Sequence, residues 1–211
     1  SNTVDKILLR DVSTEKLGLA SKVLGNRVEV EHFPFSKNMD ADIVIIASPR
    51  GTQLEVVRQA ISLRRPTVVV SDGLSETVSI LNLEKEAFEL GVPVVVGTGF
   101  APGLSCVLAS YGKTLLEEIE EIHVSKMGTG GPSCALVHHR ALSRVSFGWR
   151  DDKWYKRFGG SGRELLWFPE PVGPQDCYHA ALSDPILLHN AFPEVSRISA
   201  KMAASKIQIR I

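Results

Sequence analysis

The densest group of side chains that could do chemistry is the run His138-His139-Arg140 in the second half of the chain. A histidine can act as general acid toward a carbonyl or an imine, and an arginine can hold a carboxylate through two parallel hydrogen bonds. On the helix predicted over 133–142, neighbouring side chains point about 100° apart. We therefore expect at most one of the two histidines to face a site. The alternative is that all three residues lie on a solvent-exposed helix surface.

Lys126 is a further candidate for proton transfer, because it ends a predicted strand just before the glycine-rich loop 128–131. An ordinary surface lysine is the alternative interpretation. The sequence leaves the catalytic residues undecided between this lysine and the histidine-arginine run.

Asp11 stands directly after a short apolar segment at 6–9 that predicts a strand. In dinucleotide-binding folds, an acidic residue at the end of the second strand accepts hydrogen bonds from a ribose diol. Val12 follows it, rather than the arginine that often accommodates a 2′-phosphate, and this favours NAD over NADP. The alternative is that Asp11 only begins the following helix. No glycine fingerprint precedes Asp11 in the sequence.

A second glycine-rich loop, Gly97 to Gly103, superficially resembles such a fingerprint, since it follows a predicted strand and opens a predicted helix. Pro102 occupies the position of the third glycine and lacks an N–H group. We therefore do not assign a pyrophosphate to this loop. Its glycines would instead let the backbone pass close to a bound ring or side chain.

Strands alternate with helices in the first half, which predicts an α/β fold with a parallel, Rossmann-like sheet. The continuous apolar segment 41–47 predicts burial on both faces. Ligands bind beyond the carboxyl ends of parallel strands, so four loops are expected at one sheet edge, unless they are ordinary turns. The predicted strands cover 6–9, 27–32, 41–47, 67–70 and 92–96, the helices cover 14–24, 53–63, 82–90 and 104–116, and the four loops are 10–11, 47–52, 71–73 and 97–103. Ser13 or Thr14 is expected to cap the first helix, and Gly25-Asn26 to end it.

The pattern changes near residue 113, which predicts a partial dinucleotide-binding domain over 1–112 and a second, mixed α+β domain over 113–211. Five aromatic side chains crowd the second region, and they could line a pocket, form the core or pair two copies into a homodimer. They are Trp149, Trp154, Tyr155, Phe158 and Trp167. The predicted strands there cover 118–126, 144–149, 153–157, 164–168, 197–202 and 206–211, and 169–174 is predicted to be irregular. The strands 144–149 and 153–157 are expected to form a hairpin that turns at Asp151-Asp152.

Composition narrows the class of protein. The 211 residues include 24 Lys+Arg and 24 Asp+Glu, so the net charge is zero, which argues against a nucleic-acid partner. No apolar segment approaches the roughly 18 residues of a membrane span. The three cysteines form no CxxC pair, and the histidines His179 and His189 match no zinc pattern, so we expect no metal. These features predict a cytoplasmic protein that handles small molecules.

Three segments, 11–16, 41–49 and 93–105, together resemble the saccharopine dehydrogenase-like family, with 99–103 the most specific part. The resemblance covers 6–115 well and the remainder loosely. It implies an NAD(P)-dependent oxidoreductase that acts on an amino- or keto-acid-like substrate. It also implies a cofactor across the first, second and third loops, with the nicotinamide and substrate beside the fourth. The implied contacts are Asp11, Ala47, Ser48, Pro49, Asp72, Gly73, Gly99, Phe100, Pro102 and Gly103.

The sequence departs from this family because it lacks the first strand and the phosphate-binding glycines. We therefore expect a fragment, without about 30 residues at the front and short at the back as well. In the strand order 3-2-1-4-5-6, the first strand is central, so its absence would leave a gap. The purified chain is then expected to bind NAD(P)H weakly or not at all. The alternative function is a non-catalytic, Rossmann-derived module for binding or oligomerisation.

Overall fold

The computed structural model of the chain describes residues 4–32, 39–128 and 131–204, and it contains two small parallel sheets and one six-stranded mixed sheet. Helices alternate with the parallel strands. The predicted α/β fold class is therefore confirmed. No helix within these ranges is both long and apolar enough to cross a membrane.

The first sheet is built from two strands and the helix between them. Strand β1 (Ile7–Asp11) pairs in parallel with β2 (Val28–His32), and helix α1 (Thr14–Leu24) connects them. Ser13 caps α1 as predicted, since its side-chain oxygen accepts a hydrogen bond from the N–H of Lys16 at 3.3 Å. The helix ends at Gly25, whose φ of 71° lies in the left-handed region that favours glycine.

Replacing Ser13 by alanine is expected to destabilise helix α1 by about 1 kcal/mol, because the hydrogen bond to the cap is lost at a helix end whose N–H groups lack intrahelical partners. Hydrogen exchange of the α1 amides measures this loss. Asparagine at the same position can accept the same bond, so Ser13→Asn should leave the exchange rates within a factor of about 2 of the original. Equal protection in the alanine and asparagine variants would contradict the capping role.

The second sheet has the order β3-β4-β5, and all its strands are parallel. One face packs on a core formed by Ile46, Val57, Ile61, Val69 and Ile80. The elements in chain order are β3 (Val44–Ile46), α2 (Gln53–Ser62), β4 (Thr67–Val69), α3 (Leu74–Leu81), α4 (Glu84–Glu89) and β5 (Val94–Val96).

The sequence predicts one helix over 82–90, whereas the structure has α3 and α4 with a break at Asn82 and Leu83. Helix α3 was missed because it begins after Gly73 without any side-chain cap, so the usual start signal is absent. The short α4 ends near Gly91, as expected.

The opposite face of this sheet is exposed. Ile45 on β3 is 71% exposed and Val95 on β5 is 54% exposed. The predicted burial of 41–47 on both faces is therefore wrong for the described chain, where no element covers that side. No described hydrogen bond joins β1 to β3 either, so the two parallel sheets are separate.

The third sheet follows helix α5 (Leu104–Lys113) and is organised around its last strand. Strand β11 pairs in parallel with β6 and antiparallel with both β7 and β10. The remaining pairs are β7–β8 and β9–β10. The elements are β6 (Glu121–Lys126), α6 (Pro132–Leu142), β7 (Val145–Arg150), β8 (Lys153–Phe158), β9 (Glu164–Phe168), β10 (Gly173–His179), α7 (Asp184–Ala191) and β11 (Arg197–Ala203).

The predicted hairpin turn is confirmed, with Asp151 and Asp152 at φ values of 50° and 60° between β7 and β8. Two elements were missed: β10, which begins inside the stretch 169–174 predicted as irregular, and α7. The predicted strand 206–211 lies outside the described residues. Strand β5 belongs to a parallel sheet and β6 belongs to the mixed sheet. The domain boundary predicted near residue 113 falls between these two strands and stays a prediction.

The aromatic side chains divide into two groups. Trp149 is stacked on His189 with 4.0 Å between ring centroids and packs against the core under the third sheet. Trp167 is 75% exposed and Phe158 is 81% exposed. The first group therefore belongs to the core, and the second is available for the predicted homodimer, which stays a prediction.

Candidate functional site

The loop from Gly97 to Gly103 closes on itself after β5. The N–H groups of Gly97 and Thr98 both donate to the carbonyl of Val69 at the end of β4. Gly103 has a φ of 129°, and a Cβ at this position would lie 2.0 Å from the carbonyl oxygen of Gly99. The two glycines therefore allow the loop's own backbone strands to approach each other. The sequence interpretation had assigned that close approach to a bound ring or side chain.

The loops after β3 and β4 are held together by Arg50 and Asp72. The Arg50 Nε lies 2.9 Å from Asp72 Oδ1, and Arg50 Nη2 donates to the Asp72 carbonyl at 3.2 Å. Glu76 strengthens the junction, since its carboxylate accepts hydrogen bonds from the N–H groups of Gly51 and Gln53 at 2.9 Å. Asp72 was predicted as a site residue, whereas Arg50 was missed although it follows a strand in a predicted ligand loop.

Lys126 joins the third sheet to the glycine loop. It is the last residue of β6 and is only 8% exposed, and its Nζ donates to the carbonyl of Ala101 at 3.3 Å. Burial disfavours the charged amine and holds the pKa of Lys126 below its ordinary value of 10.5, while the carboxylates of Asp184 and Asp72 oppose that shift. The structure thus contradicts the surface-lysine alternative.

Asp184 is the second residue of this region that sequence reasoning missed. It is fully buried at the start of α7, its Oδ1 accepts a hydrogen bond from the Ser105 hydroxyl at 2.6 Å, and its Oδ2 has no partner among the described residues. Burial raises the pKa of Asp184 above its ordinary value of 3.8, and the hydrogen bond from Ser105 and the charge of Lys126 act against this rise. The sequence Ser183-Asp184-Pro185 is a recognisable helix start, but nothing in it shows that the acid is buried.

His138 is the histidine of the 138–140 run whose pKa is affected by the charges of Lys126, Asp72 and Arg50. Its pKa is lowered first by burial and then by the positive charges of Lys126 and Arg50, against the opposing effect of Asp72. No hydrogen bond or ion pair in the described ranges connects the side chains of His139 or Arg140 to the cluster. One histidine is therefore near the site, in agreement with the helical spacing.

The other predicted cofactor contacts lie at the ends of strands. Asp11 ends β1, and its Oδ1 accepts a hydrogen bond from the N–H of Ser13 at 2.8 Å, which is the geometry of a helix start. Ala47, Ser48 and Pro49 follow β3, and Phe100 at the tip of the glycine loop is 65% exposed. The loops after β3, β4 and β5 share the carboxyl edge of one parallel sheet. Asp11 could begin the helix and also bind a ribose. Its Oδ1 accepts the hydrogen bond from Ser13, and its second carboxylate oxygen can accept another hydrogen bond.

In the described part of the chain, no three His, Cys, Asp or Glu side chains are grouped so that they could hold a metal ion. Cys106, Cys134 and Cys177 are all free thiols.

No family model matches the chain, and no curated protein matches it by sequence. Among solved structures, apo saccharopine dehydrogenase (L-Glu forming) from Saccharomyces cerevisiae is similar over 97% of this chain and 50% of its own, with a TM-score of 0.67 and 16% identity. Apo scyllo-inositol dehydrogenase from Lactobacillus casei has a TM-score of 0.48 at 14% identity, covering 96% of this chain and 64% of its own. An oxidoreductase from Agrobacterium radiobacter, in complex with NAD⁺, L-tartaric acid and magnesium, has a TM-score of 0.46 at 10% identity, covering 93% and 58%.

The first of these similarities defines the class of fold. A TM-score of 0.67 with 16% identity shows that the chain shares the Rossmann-type α/β fold of saccharopine dehydrogenase. The chain spans about half the length of that structure.

Proposed function

We propose that this chain carries the substrate-facing part of an NAD(P)-dependent oxidoreductase that acts on an amino- or keto-acid-like substrate. The observation that carries the proposal is the buried Lys126, which reaches from the third sheet to the glycine loop at the carboxyl edge of the parallel sheet. Buried titratable groups of perturbed pKa at such an edge are typical of active sites. The fold shared with saccharopine dehydrogenase supports the same class of activity.

The residues present fit the two ends of a nicotinamide dinucleotide. Asp11 could hold the adenosine ribose, and the exposed Phe100 and the rest of the glycine loop could flank the nicotinamide. The pyrophosphate would need backbone amides of a glycine turn, and the sequence before Asp11 contains none. When bound, the cofactor would supply hydride transfer. NAD is favoured over NADP because Val12 follows Asp11.

Within this chain, Lys126 is the group we assign to proton exchange with the substrate. Its lowered pKa makes the neutral amine accessible closer to neutral pH than for a solvated lysine. His138 is a second candidate for the same proton, because burial also favours its neutral form. Arg50 is committed to Asp72 and therefore orients the two loops. The proposed homodimer would form through the third sheet.

The test is a titration of the isotope-labelled 211-residue chain with NADH and NADPH, followed by the amide resonances in NMR spectra. We expect binding of about 1 mM or weaker, with shifts at Asp11 and in the loop 97–103. Asp11→Ala should weaken NADH binding about 10- to 100-fold, since a hydrogen bond to a charged group is worth about 1.5–3 kcal/mol. Asp42→Ala, an exposed acid outside these loops, is the control.

Two results would contradict the assignments. Unchanged affinity in the Asp11→Ala variant would remove the ribose contact. Shifts at Asp11 without any shift in the loop 97–103 would remove the nicotinamide from this loop and favour the non-catalytic module instead. Micromolar affinity in the original chain would contradict our expectation that these residues alone bind the cofactor weakly.

A further inference from the structure

A row of three cations crosses the third sheet. Arg197 on β11 is the register partner of Arg150 on β7, and Arg150 is in turn the partner of Lys153 on β8. Side chains of directly paired residues lie about 5 Å apart on the same face, and like charges in this position are destabilising. A row of this kind is most stable when an anion lies across it.

These cations open onto a groove with a volume of about 400 Å³. Tyr155 and Arg157 follow Lys153 at alternate positions of β8, which places the three on one face. The guanidinium of Arg157 lies 5.4 Å from the centre of the Tyr155 ring. The groove is within the range of about 300–1,000 Å³ that holds small ligands, and it offers both positive charge and an aromatic surface.

The carboxylates near the groove neutralise only part of this charge. Asp151 lies 3.3 Å from Arg150, and Glu121 lies 3.4 Å from Arg197, both as exposed ion pairs. Such pairs contribute about 0–1 kcal/mol and exchange readily with other anions. Lys153 and Arg157 have no carboxylate partner within the described ranges. The groove therefore carries an excess of positive charge, although the net charge of the whole chain is zero.

His179 forms the wall of the groove on the β10 side. A Cβ at Gly162 would lie 2.5 Å from its Cδ2, so the imidazole packs directly on the Gly162 backbone. Burial, followed by the charges of Lys201 and Arg157, lowers the pKa of His179. A neutral imidazole can still donate one hydrogen bond to an anion.

We propose that this groove binds the phosphate group of a small organic phosphate, with Arg150, Lys153 and Arg157 on the phosphate oxygens and Tyr155 against the body of the ligand. Guanidinium groups match phosphate oxygens through paired N–H donors. The site lies on β7, β8, β10 and β11 and includes none of the residues assigned to the oxidoreductase site. It is therefore independent of the proposed function.

Calorimetric titration with adenosine 5′-monophosphate tests the proposal, with inorganic phosphate and citrate as comparison anions. We expect one saturable site that prefers the nucleotide to either comparison anion. Arg157→Gln and Lys153→Gln should each weaken binding at least tenfold. Lys85→Gln, which changes an exposed lysine on α4 that pairs with Glu89, is the matched control and should bind normally.

Thermal unfolding provides a second readout that separates ligand binding from folding. Without ligand, Lys153→Gln should unfold at the same temperature as the original chain or higher, since a like-charge contact is relieved. With the nucleotide, the original chain should gain thermal stability and the variant should not.

Four results would overturn the site. Unchanged nucleotide binding in Arg157→Gln would exclude the groove. Loss of binding in Asp11→Ala alone would place the nucleotide at the dinucleotide site. Tighter binding of citrate would assign the groove to carboxylates. A single-stranded oligonucleotide that binds more tightly than the mononucleotide, and loses affinity in Arg157→Gln, would assign it to nucleic acid.

Discussion

Gly103→Ala is expected to lower the free energy of unfolding by about 2–5 kcal/mol. The backbone at Gly103 has a φ of 129°, which a residue with a Cβ adopts only with strain. The added Cβ would also lie 2.0 Å from the oxygen and 2.6 Å from the nitrogen of Gly99, so the loop would have to open. Urea denaturation of the two proteins measures the difference.

Gly112→Ala is the matched control for this substitution. Gly112 lies inside α5, and a Cβ there would meet no atom within 4 Å. An alanine in a helix interior is favoured over glycine by about 0.5–1 kcal/mol. The two glycines are nine positions apart. If the free energy of unfolding falls in Gly103→Ala and rises in Gly112→Ala, the loss at Gly103 comes from the geometry of the loop. A small loss at Gly103, similar in size to any change at Gly112, would show that the loop does not need its observed geometry.

Asp184→Ala is expected to be the second severe substitution, with a loss of about 3–5 kcal/mol. It removes a fully buried carboxylate, leaves the hydroxyl of Ser105 unpaired and deprives the buried Lys126 of a compensating charge. Asp184→Asn preserves the volume and an oxygen for Ser105, so its loss should be smaller. Glu194→Gln, which breaks an exposed ion pair with Lys113, should change stability by less than about 1 kcal/mol.

The loss in Asp184→Asn should also depend on pH. The raised pKa means that folded Asp184 holds its proton more tightly than the unfolded chain does, so the carboxyl stabilises the fold at low pH. This contribution declines as the pH rises from 3.8 through the raised pKa. An asparagine does not titrate, so the difference between the two proteins should shrink from acid toward neutral pH. A difference that grows over this range would mean that the pKa of Asp184 is lowered in the folded chain.

The elements with strong local signals could be predicted from the sequence. The Ser13 cap with Gly25 at the other end fixes α1, and the Asp151-Asp152 turn fixes the β7–β8 hairpin. Helix α3 was missed because Gly73, which precedes it, has no side chain that could cap it. Helix α7 was missed although the sequence Ser183-Asp184-Pro185 is a recognisable helix start. Strand β10 was missed because its first residues, Gly173 and Pro174, are typical of loops.

The candidate site was only half predictable, because its members come from distant parts of the chain. Asp72 follows a predicted strand, so the rule for parallel sheets finds it. Lys126 could be named as a candidate, but its burial depends on contact with Ala101 in a different sheet. Asp184 reaches Ser105 across 79 positions of sequence, and no local pattern indicates such a contact. The cation row likewise depends on the register of β11 against β7.

The pairing of β6 with β11 has a consequence for the order in which the protein assembles. β6 pairs only with β11 among the described strands, and their register partners Glu121 and Arg197 are 76 residues apart in sequence. Closing so long a loop is entropically unfavourable, and non-local pairing of this kind slows folding. During synthesis on the ribosome, residues 4–32 and 39–113 could therefore form both parallel sheets before β11 is available. At that stage β6, the strand that carries Lys126, would have no strand to pair with. The amine would reach the glycine loop only after residues 197–203 emerge, so the contact between Lys126 and Ala101 would be among the last parts of the described fold to form.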